Sequence, residues 1–576
     1  MNDRELGKTM FERIDYDSLM ETVRYFSTLS RQTGTVDGEA AAAYIIRKLQ
    51  NKGVDVCEDR PLCYASIPKQ GRLKVTAPDK KEIYAHTDCF SAAAENIRGE
   101  MYYDEISERK ELTPKDNQSR FELFKDKIVL TWELDEDFYY KAKLHGAKGI
   151  VRINFTEADE VMIYGVSKVW GVPVPENFMF MDVLPVVVIR RKDGNELIEA
   201  ARAGIKTELC VTTDVENGIF EYTMPSAYIP GAGSDNYILV AAHYDGWFKS
   251  VTDNSIAAAM IVELAGIAKQ MQSELKRGIR FVWLAGHENV PYAGSTWYAD
   301  EYFEELKKHC IGYVNIDVIG NGIKNSRMFV NTTRMEGNEF ADDIIEEITG
   351  KRPDTYIPMV HAADQSFWGV KVPLDIMMNC GNPGWWYHTE ADSLDKMDMD
   401  IAKRDINFYT ELIGRIINSP QLPVDMMAFL GEVEAFMNEL RNDLGEEFDI
   451  KPALKSIDMM KIKLEALEKE MASHTDEDLD EIYMNIAGEL SRICCSSSDG
   501  YEYKMSGGGM MSQPVGDMFF AAGINGETAG KEDLLCYRTK FIRLRNRFTG
   551  EMEKLADMID LQMLKWEVKQ LRTGSN

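Results

Sequence analysis

The spacing of apolar and polar positions divides the chain into stretches of different period. Residues 12 to 52 read as helical, with strong helix formers and an apolar face in "EAAAAYIIRKL". From about residue 58 to about residue 225 short β-rich runs such as "DKIVLTWE", "GAKGIVRI" and "LPVVVI" alternate with Gly, Pro, Asn and Asp, which predicts a small mixed domain of several strands. "MPSAYIPGAG" marks a return to something else. From Tyr237 to about Ser419 strand-length runs ("YILVAA", "IRFVWLA", "IGYVNI") alternate with helical ones ("SIAAAMIVELAGIAKQM", "STWYADEYFEELKKH"). This alternation predicts an α/β unit, a mostly parallel sheet flanked by helices, with its functional residues just past strand ends. The last 150 or so residues are helical again, with Ile457, Met460, Leu464, Leu467 and Met471 on one stripe and Phe541, Leu544, Phe548, Leu555 and Ile559 on another. "SGGGMMSQPVGD", Ser506 to Asp517, reads as a loop between them.

The domains expected are therefore an α/β domain of residues 1–57 and 226–419, a β-rich insert of residues 58–225, and a helical bundle of residues 420–576. A length of 576 residues fits two or three domains, and 44% apolar residues supply their cores. The charge narrows the partners. With 66 basic against 95 acidic residues the formal net charge is −29, a surface that repels phosphate backbones and anionic lipid, so neither nucleic acid nor membrane is expected to bind. Nine cysteines without a C-x-x-C pair read as reduced thiols, and the charged start "MNDRELGKTMFERIDYDSL" lacks the apolar core of a signal peptide. A soluble, cytoplasmic protein is expected.

Chemistry-bearing residues collect at the strand ends of the α/β region. His243 and Asp245 follow "YILVAA", Asp253 opens the next helix, His287 and Glu288 follow "FVWLA", Asp317 follows "VNI", and His388 lies in "GWWYHTEADSLD". His243, Asp253, Glu288, Asp317 and His388 offer imidazole nitrogens and carboxylates, donors that suit zinc and related divalent ions. Each of them taken singly is an ordinary cap or loop residue. Their conjunction is the signal, since the chain has eight histidines and two fall with three acids at successive ends of one sheet. Spacing by itself leaves the metal site and the bland reading both open.

"HYDGWFKSVTDNSIAAAMIVELA", "AGHENVPYAGS", "VNIDVIG" and "WYHTEADSLDKMD" resemble, in order, the motif blocks of the dizinc exopeptidases, the family of bacterial zinc aminopeptidases, glutamate carboxypeptidase II and the transferrin receptor ectodomain. "DKIVL", "AKLHGAKGIV" and "LPVVVI" are similar to the protease-associated domain inserted in many members, and the helical C-terminus to the dimerisation domain of the larger ones. The resemblance implies two metal ions, zinc first among the candidates: one held by His243 and Asp317, the other by Glu288 and His388, with Asp253 bridging. It further implies that Asp245 orients the His243 ring, that the Asp253–Asn254 bond is cis, that Tyr387 is a candidate oxyanion donor as well as a packing residue beside Trp385 and Trp386, and that the chain is a homodimer.

In that family the base that takes a proton from water is a glutamate immediately before the metal-binding glutamate. This chain has His287 there. Imidazole has the intrinsic basicity for the task, so a proton shuttle in a peptide or amide hydrolase is the leading expectation. Altered dimetal chemistry on a small non-peptide substrate, and a silent binding or scaffold protein, are the alternatives. Arg327 and Arg334 could receive a substrate carboxylate or be plain surface cations, and Trp385 and Trp386 could wall a pocket.

Overall fold

The computed structural model describes the chain except residues 110–113, 182, 291, 324–327, 338, 358, 361–363, 380–382, 475–478, 498–503, 505–510, 513 and 574–576. Its centre is an eight-stranded sheet in the order Cys57–Asp59, Met224–Ile229, Gly278–Leu284, Tyr237–His243, Cys310–Asn315, Leu374–Asn379, Phe329–Thr332, Thr355–Ile357. The middle strands, from Gly278–Leu284 to Leu374–Asn379, pair in parallel as the strand–helix alternation demands. The flanks depart from that expectation, because Met224–Ile229 joins Gly278–Leu284 antiparallel and Phe329–Thr332 joins Leu374–Asn379 antiparallel. The sheet is therefore mixed, with a parallel core. Strand Tyr237–His243 is buried at every position, which explains a run of apolar residues without alternation.

Helix Ile256–Gln270 packs on that sheet and is buried from Ile256 to Ala268. It is apolar enough, counted from Val251, to cross a membrane, and its burial inside the protein accounts for that composition. Helices Asp3–Glu12, Tyr16–Phe26 and Val36–Asn51 form the N-terminal part, starting earlier than residue 12 because Asn2 and Glu5 make a reciprocal cap. The expected helix over "STWYADEYFEELKKH" is two, Ala293–Glu301 and Phe303–His309, parted at Tyr302.

Between Cys57–Asp59 and Met224–Ile229 the chain leaves the sheet through an antiparallel ribbon, Leu62–Pro68 with Val215–Glu221. Beyond this neck it closes a seven-stranded barrel whose core includes Leu73, Ile128, Val151, Val187 and Leu209. A second apolar cluster joins Phe90, Phe121, Phe138, Val166 and Val169 of the inserted segment with Trp247. After residue 420 follow helices Met426–Asp443, Lys451–Met471, Asp480–Cys495 and the 43-residue Lys531–Thr573. Ile457, Met460, Leu464, Leu467 and Met471 are all buried along one of them, the stripe that the 3.6-residue period predicts. The loop expected over Ser506 to Asp517 lies partly outside the described residues, and within it Met511–Ser512 pairs with Met359–Val360.

Candidate active site

The parallel strands deliver their C-terminal residues to one edge of the sheet. Tyr237–His243 ends on His243, Gly278–Leu284 is followed by Gly286 and then His287 and Glu288, and Cys310–Asn315 is followed by Asp317. Gly286 has φ of +71°, a left-handed turn that glycine adopts without strain, and it redirects the chain so that the next two residues face the strand end beside it. Asp253 stands in the irregular turn before helix Ile256–Gln270, in the cis Asp253–Asn254 peptide expected there. His388 comes from the loop after the last parallel strand, at φ of +56°.

These five residues meet. His243 Nε2 lies 3.1 Å from Asp253 Oδ1 and 3.1 Å from Asp317 Oδ1. His388 Nε2 lies 3.2 Å from Asp253 Oδ2 and 3.2 Å from Glu288 Oε2. Asp253 thus turns one oxygen to each group. All five side chains are buried, and Glu288 Oε1 has no hydrogen-bond partner. Buried lone pairs converging from three carboxylates and two imidazoles are costly unless a proton or a cation lies among them. Electrostatics say the same. Burial pushes the His388 imidazole down, yet Glu288 and Asp253 outweigh it and hold the group up at about 10. The His243 ring is likewise held well above its ordinary value, against burial, by Asp317, Asp245 and Asp253. Divalent ions satisfy the same lone pairs in place of those protons, and the nitrogen and oxygen donor set fits zinc. His243, Asp253, Glu288, Asp317 and His388 are the residues that would hold metal there.

The residues around the ligands include several that sequence reasoning missed. Asp245 meets His243 Nδ1 mainly through its backbone oxygen, at 3.1 Å, with carboxylate Oδ1 at 3.4 Å. Its Oδ2 accepts instead from the backbone N–H groups of His287 and Glu288, each at 3.1 Å, and from Thr33 Oγ1 at 2.9 Å. One buried acid therefore couples the ends of two strands. Asp392 accepts from Thr252 and Asp253 N–H and from Thr252 Oγ1, fixing the bridging residue. Its place in "HTEADSLD" was visible, its function was not. Thr33 and Asp364 carry no local sequence signal.

His287 stacks on His243 with centroids 3.8 Å apart and planes within 5°. Distance alone would make it a ligand, since it offers a nitrogen within 4.8 Å of those of His243 and Asp317. The stacking argues otherwise. Imidazole lone pairs lie in the ring plane, so the stacked His243 and His287 rings aim theirs in separate parallel planes and would not share one ion. His287 Nδ1 is instead 2.7 Å from Asp364 Oδ2. Burial and the His243 cation push its imidazole down, but Asp364 and Asp317 prevail and hold it up at about 9, a balance that divalent cations on the neighbouring ligands would shift toward the neutral ring.

Tyr387 lies flat on the His388 ring, centroids 3.7 Å apart, and burial pushes its phenol well above the usual range, so the O–H stays able to donate. Trp386 is buried and donates to Thr252 Oγ1 at 3.2 Å, whereas Trp385 is exposed. Arg334 lies 3.8 Å from Asp342, and Arg327 lies outside the described residues.

Part of the chain is similar to known proteins. Residues 226–409 match the model of Peptidase family M28. Over 241 residues the chain is 23% identical to a probable glutamate carboxypeptidase of Zea mays, covering 36% of this chain and 32% of that one. It is 22% identical over 225 residues to an inactive zinc metalloprotease of Schizosaccharomyces pombe, covering 35% and 27%. The matches thus span about a third or less of these curated relatives. The fold is similar to the zinc aminopeptidase of Bacillus subtilis, with a TM-score of 0.53 at 20% identity over 70% of this chain and 95% of that one. Residues 226–409, which carry every residue of the ligand set, are thus similar to peptidase family M28.

Proposed function

We propose that the protein is a metal-dependent hydrolase that cleaves a peptide or amide bond, with two divalent ions, zinc first among them, in the paired sites. The observation that carries this reading is Asp253, whose two oxygens face His243 on one side and His388 on the other at 3.1 and 3.2 Å. A carboxylate so shared suits a dinuclear centre better than a single ion. When bound, such a pair supplies polarising charge and water of lowered pKa. The chain supplies the rest. His287, in the base position, takes a proton from water and returns it to the leaving amine; Tyr387 offers a phenol O–H to the developing oxyanion. Small peptides or amides are the substrates proposed.

The test is elemental analysis of protein purified without chelator, joined to a hydrolysis screen over N-blocked and C-blocked dipeptides with added zinc, manganese or cobalt. Near two ions per chain and turnover of one class are expected. One relative is an inactive metalloprotease by name. Fully loaded protein that hydrolyses nothing in the screen would place this chain with it.

We also propose a homodimer through the C-terminal helices. Helix Lys531–Thr573 exposes Met558, Leu561, Leu564, Val568 and Leu571, spaced by three or four residues and so on one face. Leu561→Glu with Leu564→Glu is expected to convert dimer to monomer in light scattering. An unchanged dimer would assign the interface elsewhere.

A further inference from the structure

We infer that Asp364 is the positioning residue of the reaction: it fixes which nitrogen of His287 accepts the proton. The inference rests on His287 acting as the base, and it names the group that makes a histidine workable in that role. A carboxylate base has two equivalent oxygens. Imidazole does not: when neutral, one nitrogen carries hydrogen and the other the lone pair, and a ring in the wrong tautomer presents N–H where a proton must be received. Asp364 Oδ2 lies 2.7 Å from His287 Nδ1, both side chains are buried, and a carboxylate there accepts the Nδ1–H. The lone pair is then on Nε2.

The ring has little freedom to turn away. One face is covered by His243, and Tyr292 meets it edge-on, centroids 5.1 Å apart at 89°. The backbone N–H of His287 is held by Asp245. Asp364 is held as well, because its neighbours are anchored: Gln365 Nε2 donates to Asp375 at 3.1 Å, and Ser366 Oγ pairs with Ser295 Oγ at 2.9 Å and accepts from Trp170 Nε1 at 3.2 Å. Asp364 Oδ1 has no hydrogen-bond partner, so its described side-chain bond is the one to His287. In the reaction an O–H bond of water breaks as Nε2–H forms, the imidazolium charge develops beside the Asp364 carboxylate, and the same proton passes from Nε2 to the leaving nitrogen.

Two measurements on the zinc-loaded full chain test this. Nitrogen NMR of protein labelled in histidine, with the His287 signals identified by their loss in His287→Ala, is expected to show Nδ1 protonated and Nε2 bare. Asp364→Asn is expected to shift that ring toward the other tautomer with zinc content unchanged. An Nε2–H ring in the parent overturns the inference whatever the activity. On a substrate found in the dipeptide screen, Asp364→Asn should lower kcat roughly 10²–10⁴-fold with KM little changed. In a His287→Ala background the same substitution should add nothing, because Asp364 acts through the ring. Equal losses in both backgrounds would make Asp364 structural and overturn the inference. If His287→Ala loses turnover but Asp364→Asn keeps it, this inference fails and the base assignment stands; if His287→Ala keeps parental turnover, both fail.

Discussion

The two halves of the candidate metal centre are built differently. The His243 half is a product of the sheet: His243 and Asp317 lie at or just past the ends of adjacent parallel strands, and the His243 ring rests its Nδ1 on Asp245 two residues away. The His388 half leans on the inserted segment. His388 comes from a loop in a left-handed conformation, its Nδ1 bonds the carbonyl of Ile163 at 3.0 Å, and Ile163 N–H returns a bond to the His388 carbonyl at 3.2 Å. Tyr164 lies against the same ring, centroids 5.1 Å apart. Ile163 and Tyr164 belong to the inserted segment, in sequence more than 200 residues from His388. One ligand is thus aimed by its own neighbours, the other by a segment distant in sequence.

Substitutions can break or sharpen this contrast. Asp253→Ala removes the residue common to both halves, so metal content should fall toward zero and turnover below detection, as elemental analysis and the dipeptide assay would show. A chain that keeps one tightly held ion would mean that the halves are independent. His388→Ala should lose one ion and keep the other in the His243 half; competition with a chelator that reports free zinc would resolve the two affinities. Tyr164→Ala acts from the inserted segment. Loss of an outer partner costs metal sites about 10–100-fold in affinity, and the weakening should fall on the His388 half. Equal weakening of both would contradict the division. Asp245→Asn is the mirror experiment. Because its carboxylate holds the His287 and Glu288 backbone as well as flanking His243, it should weaken both ions modestly, with the melting temperature falling by a few degrees, the usual consequence of about 1 kcal/mol in a chain of this kind.

Much of this was legible in the chain. Strand ends are visible because a buried parallel strand is a continuous apolar run, and a histidine or acid just after "YILVAA", "FVWLA" or "VNI" is placed by that run at the ligand-bearing edge. The helical stripe from Ile457 to Met471 follows from period alone. Asp364 and Thr33 were not legible, since neither adjoins a periodic element and each acts on a residue tens to hundreds of positions away, Asp364 on His287 and Thr33 on Asp245. The antiparallel flanks of the sheet were hidden too. Periodicity reports burial and element type, whereas strand direction depends on how the chain returns.

The sequence by itself determined the donor chemistry: which residues can ligate a divalent ion, which strand ends carry them, and that a histidine stands where the family it resembles has a glutamate. Those are local properties, written in residue type and burial period. The tertiary structure decided what each residue faces. It set His287 in stacking contact with His243, gave Asp364 to His287, and made a carbonyl of the inserted segment the partner of His388. Ring planes and lone-pair directions are fixed by contacts between segments far apart in the chain, and no local pattern encodes them.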